Sequence, residues 1–216
     1  MSRNSETRGN DSGRSEQQIQ HREEKIRQYL EAARREVSEL GVKGPAMEIL
    51  RPIKCLIFDV DGTLTDGHLN YTDRGEEFKS FWVNDGLAMK IASRMGFQIA
   101  LVTGRVTDIV QRRAEDIGAT IVRQGIWDKG VEVESITADL GLDRSEILFM
   151  GDDIIDIPGM MKAGVGVAVA NAAREVLAVA DIITRASGGA GAAREIIELV
   201  FQAQGSSLFD AFIELK

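Results

Sequence analysis

Ile53-Lys54-Cys55-Leu56-Ile57-Phe58-Asp59-Val60-Asp61-Gly62-Thr63 turns abruptly from an apolar run to two carboxylates, a glycine and a threonine. The apolar part reads as a strand buried on both faces of a sheet. The residues after it deliver two anions to the mouth of that sheet, and like charges so close require a cation or a proton between them. Taken alone, residues 59–63 could equally be an ordinary acidic turn. Their meaning depends on what the rest of the chain places beside them.

Beyond this stretch, strand and helix signals alternate. Strands are predicted at 53–59, 97–102, 119–122, 146–150 and 165–169, with a short last one at 181–183; helices are predicted near 86–95, 106–117, 129–140, 153–162 and 191–203. Alternation with short connections means βαβ units, so the expected fold is α/β, a Rossmann-like parallel sheet with helices on both faces. Ligands of such sheets bind beyond the carboxyl ends of the strands. One segment breaks the rhythm. Between Asp66 and Asn84, residues 68–71 and 77–83 flank Thr72-Asp73-Arg74-Gly75 and predict a β-hairpin inserted after the first strand. Bearing Tyr71, Phe78, Phe81 and Trp82, such a hairpin is marginal alone and must pack on something.

The chain has 216 residues, 44% of them hydrophobic, enough for one compact domain with an appended segment. Residues 1–14 are polar and aperiodic and predict a disordered tail. Residues 15–50 predict an N-terminal helical extension, with Ile26, Leu30, Ala33, Val37 and Leu40 on one face. The α/β body is expected over 51–205 and an apolar C-terminal tail over 206–216, suited to docking rather than disorder. No membrane span or signal peptide is evident, and the expected location is cytoplasmic. Cys55 is the single cysteine, which excludes an internal disulfide and a thiolate metal cluster. Residues 1–50 hold nine basic and nine acidic groups, so the remaining 166 carry 17 against 25 and supply the whole net charge of −8. An acidic body repels polyphosphate chains, and no nucleic-acid partner is expected.

Three other predicted strands end in unusual polar groups: Thr103-Gly104-Arg105, Gln124-Gly125 and Gly151-Asp152-Asp153-Ile154-Ile155-Asp156. Parallel strands end on one edge, so these groups converge on the Asp59 loop together with Lys129. Oxygen-only ligands of this kind suit Mg2+. The companions suit a phosphoryl group: Thr103 offers a hydroxyl, the backbone of residues 60–63 and Gly104 offers N–H donors, and Lys129 offers a point charge. No Walker-type sequence and no Ser-His-Asp set is present. A carboxylate nucleophile remains, with Asp59 the best placed and Asp61 able to protonate the leaving oxygen and later activate water.

Asp59-x-Asp61-Gly62-Thr63, Thr103, Lys129 and Gly151-Asp152-Asp153-x-x-Asp156 resemble, in order, the four motifs of the haloacid dehalogenase superfamily of phosphohydrolases. The resemblance implies an aspartyl-phosphate on Asp59, general acid and base work by Asp61, and phosphoryl contacts from Thr103 and Lys129. It implies Mg2+ held by Asp59, the backbone carbonyl of Asp61, and Asp152, with Asp153 or Asp156 in support. Leu64-Thr65-Asp66-Gly67, Gly75-Glu76-Glu77-Phe78-Lys79-Ser80-Phe81, Asp85-Gly86, Gln124-Gly125, Gly188-Gly189-Ala190-Gly191 and Ala203-Gln204-Gly205 further resemble the 3-deoxy-D-manno-octulosonate 8-phosphate (KDO 8-phosphate) phosphatases. That family is capless, has a hairpin in place of a lid, and is a homotetramer whose hairpins pack together. The resemblance implies a phosphorylated sugar acid as substrate, with Arg105, Lys90 and Arg194 as candidates to meet its carboxylate, and a place in lipopolysaccharide synthesis. A nonulosonate 9-phosphate phosphatase and a non-catalytic sugar-phosphate-binding relative remain the alternatives.

Overall fold

The computed structural model describes Glu24 and residues 45–215; the predicted tail over 1–14 and most of the predicted helical extension lie outside the described residues. Its strands are β1 (Cys55–Phe58), β2 (Asn70–Tyr71), β3 (Glu77–Phe78), β4 (Gln98–Thr103), β5 (Ile121–Gln124), β6 (Ile147–Gly151), β7 (Val165–Ala168) and β8 (Ile182–Ile183). Six of them form one parallel sheet in the order β5-β4-β1-β6-β7-β8, while β2 and β3 make a separate antiparallel pair. The expected α/β architecture is therefore present, and only the hairpin and one helix separate β1 from β4. From β1 the chain builds outward through β4 and β5, then returns to the other side of β1 for β6, β7 and β8. That reversal leaves a crevice between the carboxyl ends of β1 and β6, where open parallel sheets take their ligands.

The helices are α1 (Pro45–Leu50), α2 (Val83–Arg94), α3 (Asp108–Ile117), α4 (Lys129–Leu140), α5 (Ile157–Lys162), α6 (Arg174–Val179), α7 (Ala192–Ala203) and α8 (Leu208–Glu214). All four residues of β1 are buried. Cys55 and Ile57 join Val133 and Ile136 of α4, Met160 of α5 and Val176 of α6 in one apolar cluster. Leu56 and Phe58 alternate to the other face, on which α2 packs with α3, α7 and α8. Burial of each such side chain contributes about 1.5–3 kcal/mol, which is why a strand this short is held firmly enough to present Asp59. No helix among the described residues is long and apolar enough to cross a membrane.

Several elements depart from the sequence expectations for local reasons. Helix α1 opens at Pro45, a proline at the first helical position, where its missing N–H costs nothing. The helix expected over 153–162 is a 3-10 turn, Ile154–Asp156, followed by α5, because Asp153 and Asp156 cap the turn and Pro158 restarts the helix. Helix α6 is too short for periodicity to reveal. The C-terminal tail forms α8, capped by Ser207, whose hydroxyl accepts from the Asp210 N–H at 3.1 Å. Leu208 and Ala211 bury that helix against α2 and α7 of its own chain.

The hairpin ladder is shorter than predicted. It pairs Asn70 with Phe78 and Tyr71 with Glu77, and Gly75 closes the turn at φ +79°. Residues 79–82 leave the ladder and run back to α2. Tyr71, Phe78 and Trp82 are exposed, whereas Phe81 lies 5.0 Å beneath the Arg113 guanidinium, which also donates to the Trp82 carbonyl at 3.2 Å.

Behind the crevice, α7 begins at Gly191 (φ +107°) with no side-chain cap of its own. Asp85, in the first turn of α2 and 2% exposed, accepts from the Arg194 N–H at 2.8 Å and caps α7 from a distance. Burial lifts the Asp85 carboxyl above the ordinary carboxylate range, and the N–H donors of Arg194 and Gly191 work against that rise. Gly188 and Gly189 run so close under the Asp61–Thr63 loop that a Cβ on Gly188 would stand 1.7 Å from the Gly62 carbonyl oxygen. The start of α7 is thus a shelf for the acidic loop. Asp85→Ala is expected to cost about 1–2 kcal/mol of stability through the lost cap, read as a lower urea midpoint at unchanged slope; an unchanged midpoint would show that α7 needs no cap from α2.

Candidate active site

Ladder register brings the site together. Phe58 lies level with Leu101 of β4 and Met150 of β6, and the Asp59 N–H continues the ladder to the Met150 carbonyl at 2.9 Å. Asp59 therefore leaves the sheet beside Thr103 on one side and Asp152 on the other. Asp59 is 5% exposed. Thr103 is buried, and its hydroxyl oxygen accepts from the Arg105 N–H at 3.3 Å, leaving the hydroxyl proton free to donate.

Lys129 is the first residue of α4, after the Asp128 cap, and is fully buried. An ammonium at a helix N-terminus opposes the macrodipole, so this placement needs anions. It has two: Nζ donates to Asp59 Oδ1 at 2.5 Å and to Asp156 Oδ1. Asp156 Oδ2 accepts from the N–H groups of Asp152 and Asp153 at 2.9 and 3.0 Å, so both its oxygens are engaged and it shapes the turn after β6. Asp152 Oδ1 accepts from the Thr63 hydroxyl at 2.9 Å. Gly62, at φ +94°, is required here, because a Cβ would lie 2.0 Å from Asp152 Oδ2.

Asp59, Asp152 and Asp156 each contribute one carboxylate oxygen to a group lying within 4.8 Å of one another. One ammonium does not neutralise three such groups. Burial first, and then the charge of Asp156, push the Asp59 carboxyl well above its ordinary range against the pull of Lys129. Asp152 is pushed up to about 6, chiefly by burial, with the Thr63 hydrogen bond opposing. Burial pulls the Lys129 ammonium down, but the charges of Asp59 and Asp156 outweigh it and raise it. Burial and mutual repulsion thus favour added positive charge at this point. The donor set is hard and oxygen-only and fits a small divalent cation, with Asp59 and Asp152 each keeping one oxygen without a partner among the described residues.

The sequence-predicted substrate contacts are placed as follows. Arg105 reaches the hairpin, where Nη2 donates to Glu77 Oε2 at 2.8 Å and to the Tyr71 hydroxyl at 3.3 Å, while its buried Nε has no partner among the described residues. Gly104 lies against the next loop, where a Cβ would stand in ordinary contact with the Ile126 carbonyl at 3.6 Å. Gln124 accepts from the Thr107 N–H at 2.7 Å and ties the loop after β4 to the end of β5. Arg194 binds Glu198 along its own helix at 2.7 Å. Lys90 is exposed on α2, seven residues or about 10 Å beyond the helix start. Asp153 is exposed and accepts from the Ile154 N–H at 2.7 Å to cap the following turn, whereas Asp156 is buried against Lys129.

Sequence reasoning missed Lys79. It follows β3, its side chain is 1% exposed, and Nζ donates to Asp61 Oδ1 and lies 2.9 Å from Glu77 Oε1. Period-two alternation places Glu77, Lys79 and Phe81 on one side of the strand, which is the signal that could have grouped it with the site. A cavity of about 850 Å3 opens at the opposite edge of the sheet, lined by Arg51, Lys54, Phe97 and Gly205 among others. It shares no residue with the crevice, so charge rather than volume marks the site.

The haloacid dehalogenase-like hydrolase family matches residues 114–196. The chain is 37% identical over 164 residues to the KDO 8-phosphate phosphatase KdsC of Escherichia coli strain B / BL21-DE3, covering 76% of this chain and 87% of that one. It is 38% identical over 162 residues to KdsC of Haemophilus influenzae, covering 74% and 90%. Among solved structures it resembles the KDO 8-phosphate phosphatase of Moraxella catarrhalis in complex with magnesium, phosphate and KDO, at TM-score 0.74 and 38% identity over 78% of this chain and 96% of that one. It also resembles the cobalt-bound H. influenzae phosphatase, at TM-score 0.73 and 37% identity over 76% and 99%. With its parallel sheet and the acidic crevice at its switch point, the chain belongs to the haloacid dehalogenase superfamily and, within it, to the KDO 8-phosphate phosphatase family.

Proposed function

We propose that the chain is a cytoplasmic, Mg2+-dependent phosphomonoesterase that hydrolyses KDO 8-phosphate to the free sugar acid and inorganic phosphate through an aspartyl-phosphate on Asp59. The observation that carries this reading is the buried Asp59–Lys129 pair at the mouth of β1, facing Asp152 across the switch point.

Asp59, Asp152 and the backbone carbonyl of Asp61 would hold the cation. When bound, Mg2+ supplies charge stabilisation for the phosphoryl oxygens. An oxygen of Asp59 attacks phosphorus, and the bond from phosphorus to the sugar oxygen breaks in line. Asp61 gives its proton to the departing alkoxide. A water then attacks the same phosphorus, Asp61 takes its proton, and the acyl-phosphate bond breaks to return Asp59 and release phosphate. Thr103 and Lys129 hold the phosphoryl oxygens during both transfers, Lys129 exchanging part of its contact with the carboxylates for the transferred group. Arg105 would meet the substrate carboxylate by exchanging it for Glu77. The exposed Tyr71, Phe78 and Trp82 suit hairpin-to-hairpin packing in a homotetramer.

Asp59→Asn is expected to lower phosphate release from KDO 8-phosphate by about 10^4-fold or more while the melting temperature is retained, as removal of a nucleophile does elsewhere; near-normal turnover would refute the mechanism. The carboxyl of Asp152 gives a pH test. Its folded value, about 6, lies above the ordinary 3.8. The fold thus favours the protonated form, and this group's stabilising contribution is full below about pH 4 and lost as pH rises through 6. Cation binding must displace that proton. Mg2+ is therefore expected to raise the melting temperature clearly at pH 8 and little at pH 5. An equal rise at both would place the cation elsewhere.

A further inference from the structure

We propose that Lys79 is a positioning residue for catalysis, a cation supplied by the hairpin that holds Asp61 at the leaving-group side of the crevice and out of the carboxylate cluster. The inference rests on the phosphatase reading above and assigns to the hairpin a part in the reaction itself.

The charges in the crevice are divided between two lysines. Lys129 is committed to Asp59 and Asp156, so it cannot also hold Asp61. Asp61 lies two residues from Asp59, and its carboxylate is outside the group formed by Asp59, Asp152 and Asp156. Flexible and unpaired, a fourth carboxylate there would be drawn to any cation the cluster holds, where it could neither give nor take a proton at the leaving oxygen. Lys79 prevents this by geometry. A lysine side chain 1% exposed is retained only with close anionic partners, and it has Asp61 Oδ1 and Glu77 Oε1. Glu77 meets Arg105 through Oε2 at 2.8 Å and Lys79 through Oε1 at 2.9 Å, so the lysine keeps its second anion when Arg105 turns to the substrate. The Lys79 ammonium beside it, with Arg105 and against the opposing effect of burial, holds the Glu77 carboxyl below its usual range.

With Oδ1 taken, the remaining oxygen of Asp61 is defined. Oδ2 is buried and has no partner among the described residues. One oxygen bound and one free fixes the carboxylate plane, which is the kind of orientation that a group acting on a single substrate oxygen needs.

The test compares Lys79→Met, Lys79→Arg, Asp61→Asn and the Lys79→Met/Asp61→Asn double variant in the full-length protein with Mg2+. On KDO 8-phosphate, Lys79→Met is expected to lower kcat by about 100-fold with KM changed less than about threefold, and Lys79→Arg to recover at least about tenfold of that loss. In the Asp61→Asn background the same Lys79→Met change is expected to cost less than about threefold, because the group it acts through is already gone. The double variant removes a buried cation together with the Asp61 charge and leaves Glu77 paired with Arg105, so it stays folded even if Lys79→Met, which leaves Asp61 unpaired, does not. With p-nitrophenyl phosphate, whose leaving group needs no proton, the first-turnover burst of Lys79→Met should stay within about fivefold of wild type. The proposal is overturned if Lys79→Met keeps kcat within about threefold of wild type, or if it costs as much in the Asp61→Asn background as with Asp61 in place. Wild-type protein that releases no phosphate with Mg2+ would overturn the phosphatase reading and this inference together.

Discussion

Carboxylate oxygens of Asp59, Asp152 and Asp156 are gathered within 4.8 Å in a buried crevice with one fully buried ammonium against two of them. Repulsion in such a place is large because little water screens it. The fold resists it by local hydrogen bonding: Asp156 is tied to two backbone N–H groups, Asp152 to the Thr63 hydroxyl, and Asp59 to Lys129. What these bonds leave over is net negative charge and two carboxylate oxygens with no partner among the described residues, which is the condition for binding a divalent cation and, through it, a phosphoryl group. Stability is given up at this point so that the site can bind.

The rest of the molecule serves to hold that conflict in place. The buried β1 strand carries Asp59 on a base that side-chain packing fixes, and the reversal of strand order brings Asp152 beside it. Underneath, the Gly188-Gly189 segment approaches the Gly62 loop more closely than any residue with a Cβ could. Asp85 secures that segment by capping α7 from α2, so the floor of the crevice is tied to the helix that follows the hairpin. Hairpin, floor and sheet edge form one connected set of contacts.

How much of this was legible in the sequence follows the range of the signals. Asp59, Thr103 and Asp152 could be read because each ends a strongly apolar strand, and parallel strands share an edge. Lys129 could be placed by the same logic, as the residue opening the helix after β5. Roles set by side-chain contacts could not be read. Asp153 and Asp156 look alike in sequence, yet one caps an exposed turn and the other is buried against Lys129. Arg105 was visible as a cation at a strand end, but its partner Glu77 lies 28 residues away in the hairpin. Lys79 reads as a solvated charge between aromatic residues until the hairpin folds over and buries it. Helices α6 and α8 were missed because one or two turns carry too little periodicity to stand out.

We propose that the convergence at β1 makes Asp59 the group to which phosphate is transferred. Rapid acid quench of the enzyme during turnover of KDO 8-phosphate with Mg2+, followed by peptide mass analysis, tests it directly. One phosphoryl group is expected on the peptide containing Asp59, at Asp59 and labile to hydroxylamine, and none without Mg2+. Phosphate release at full rate with no phosphorylated peptide, or with the phosphoryl group on another residue, would contradict it.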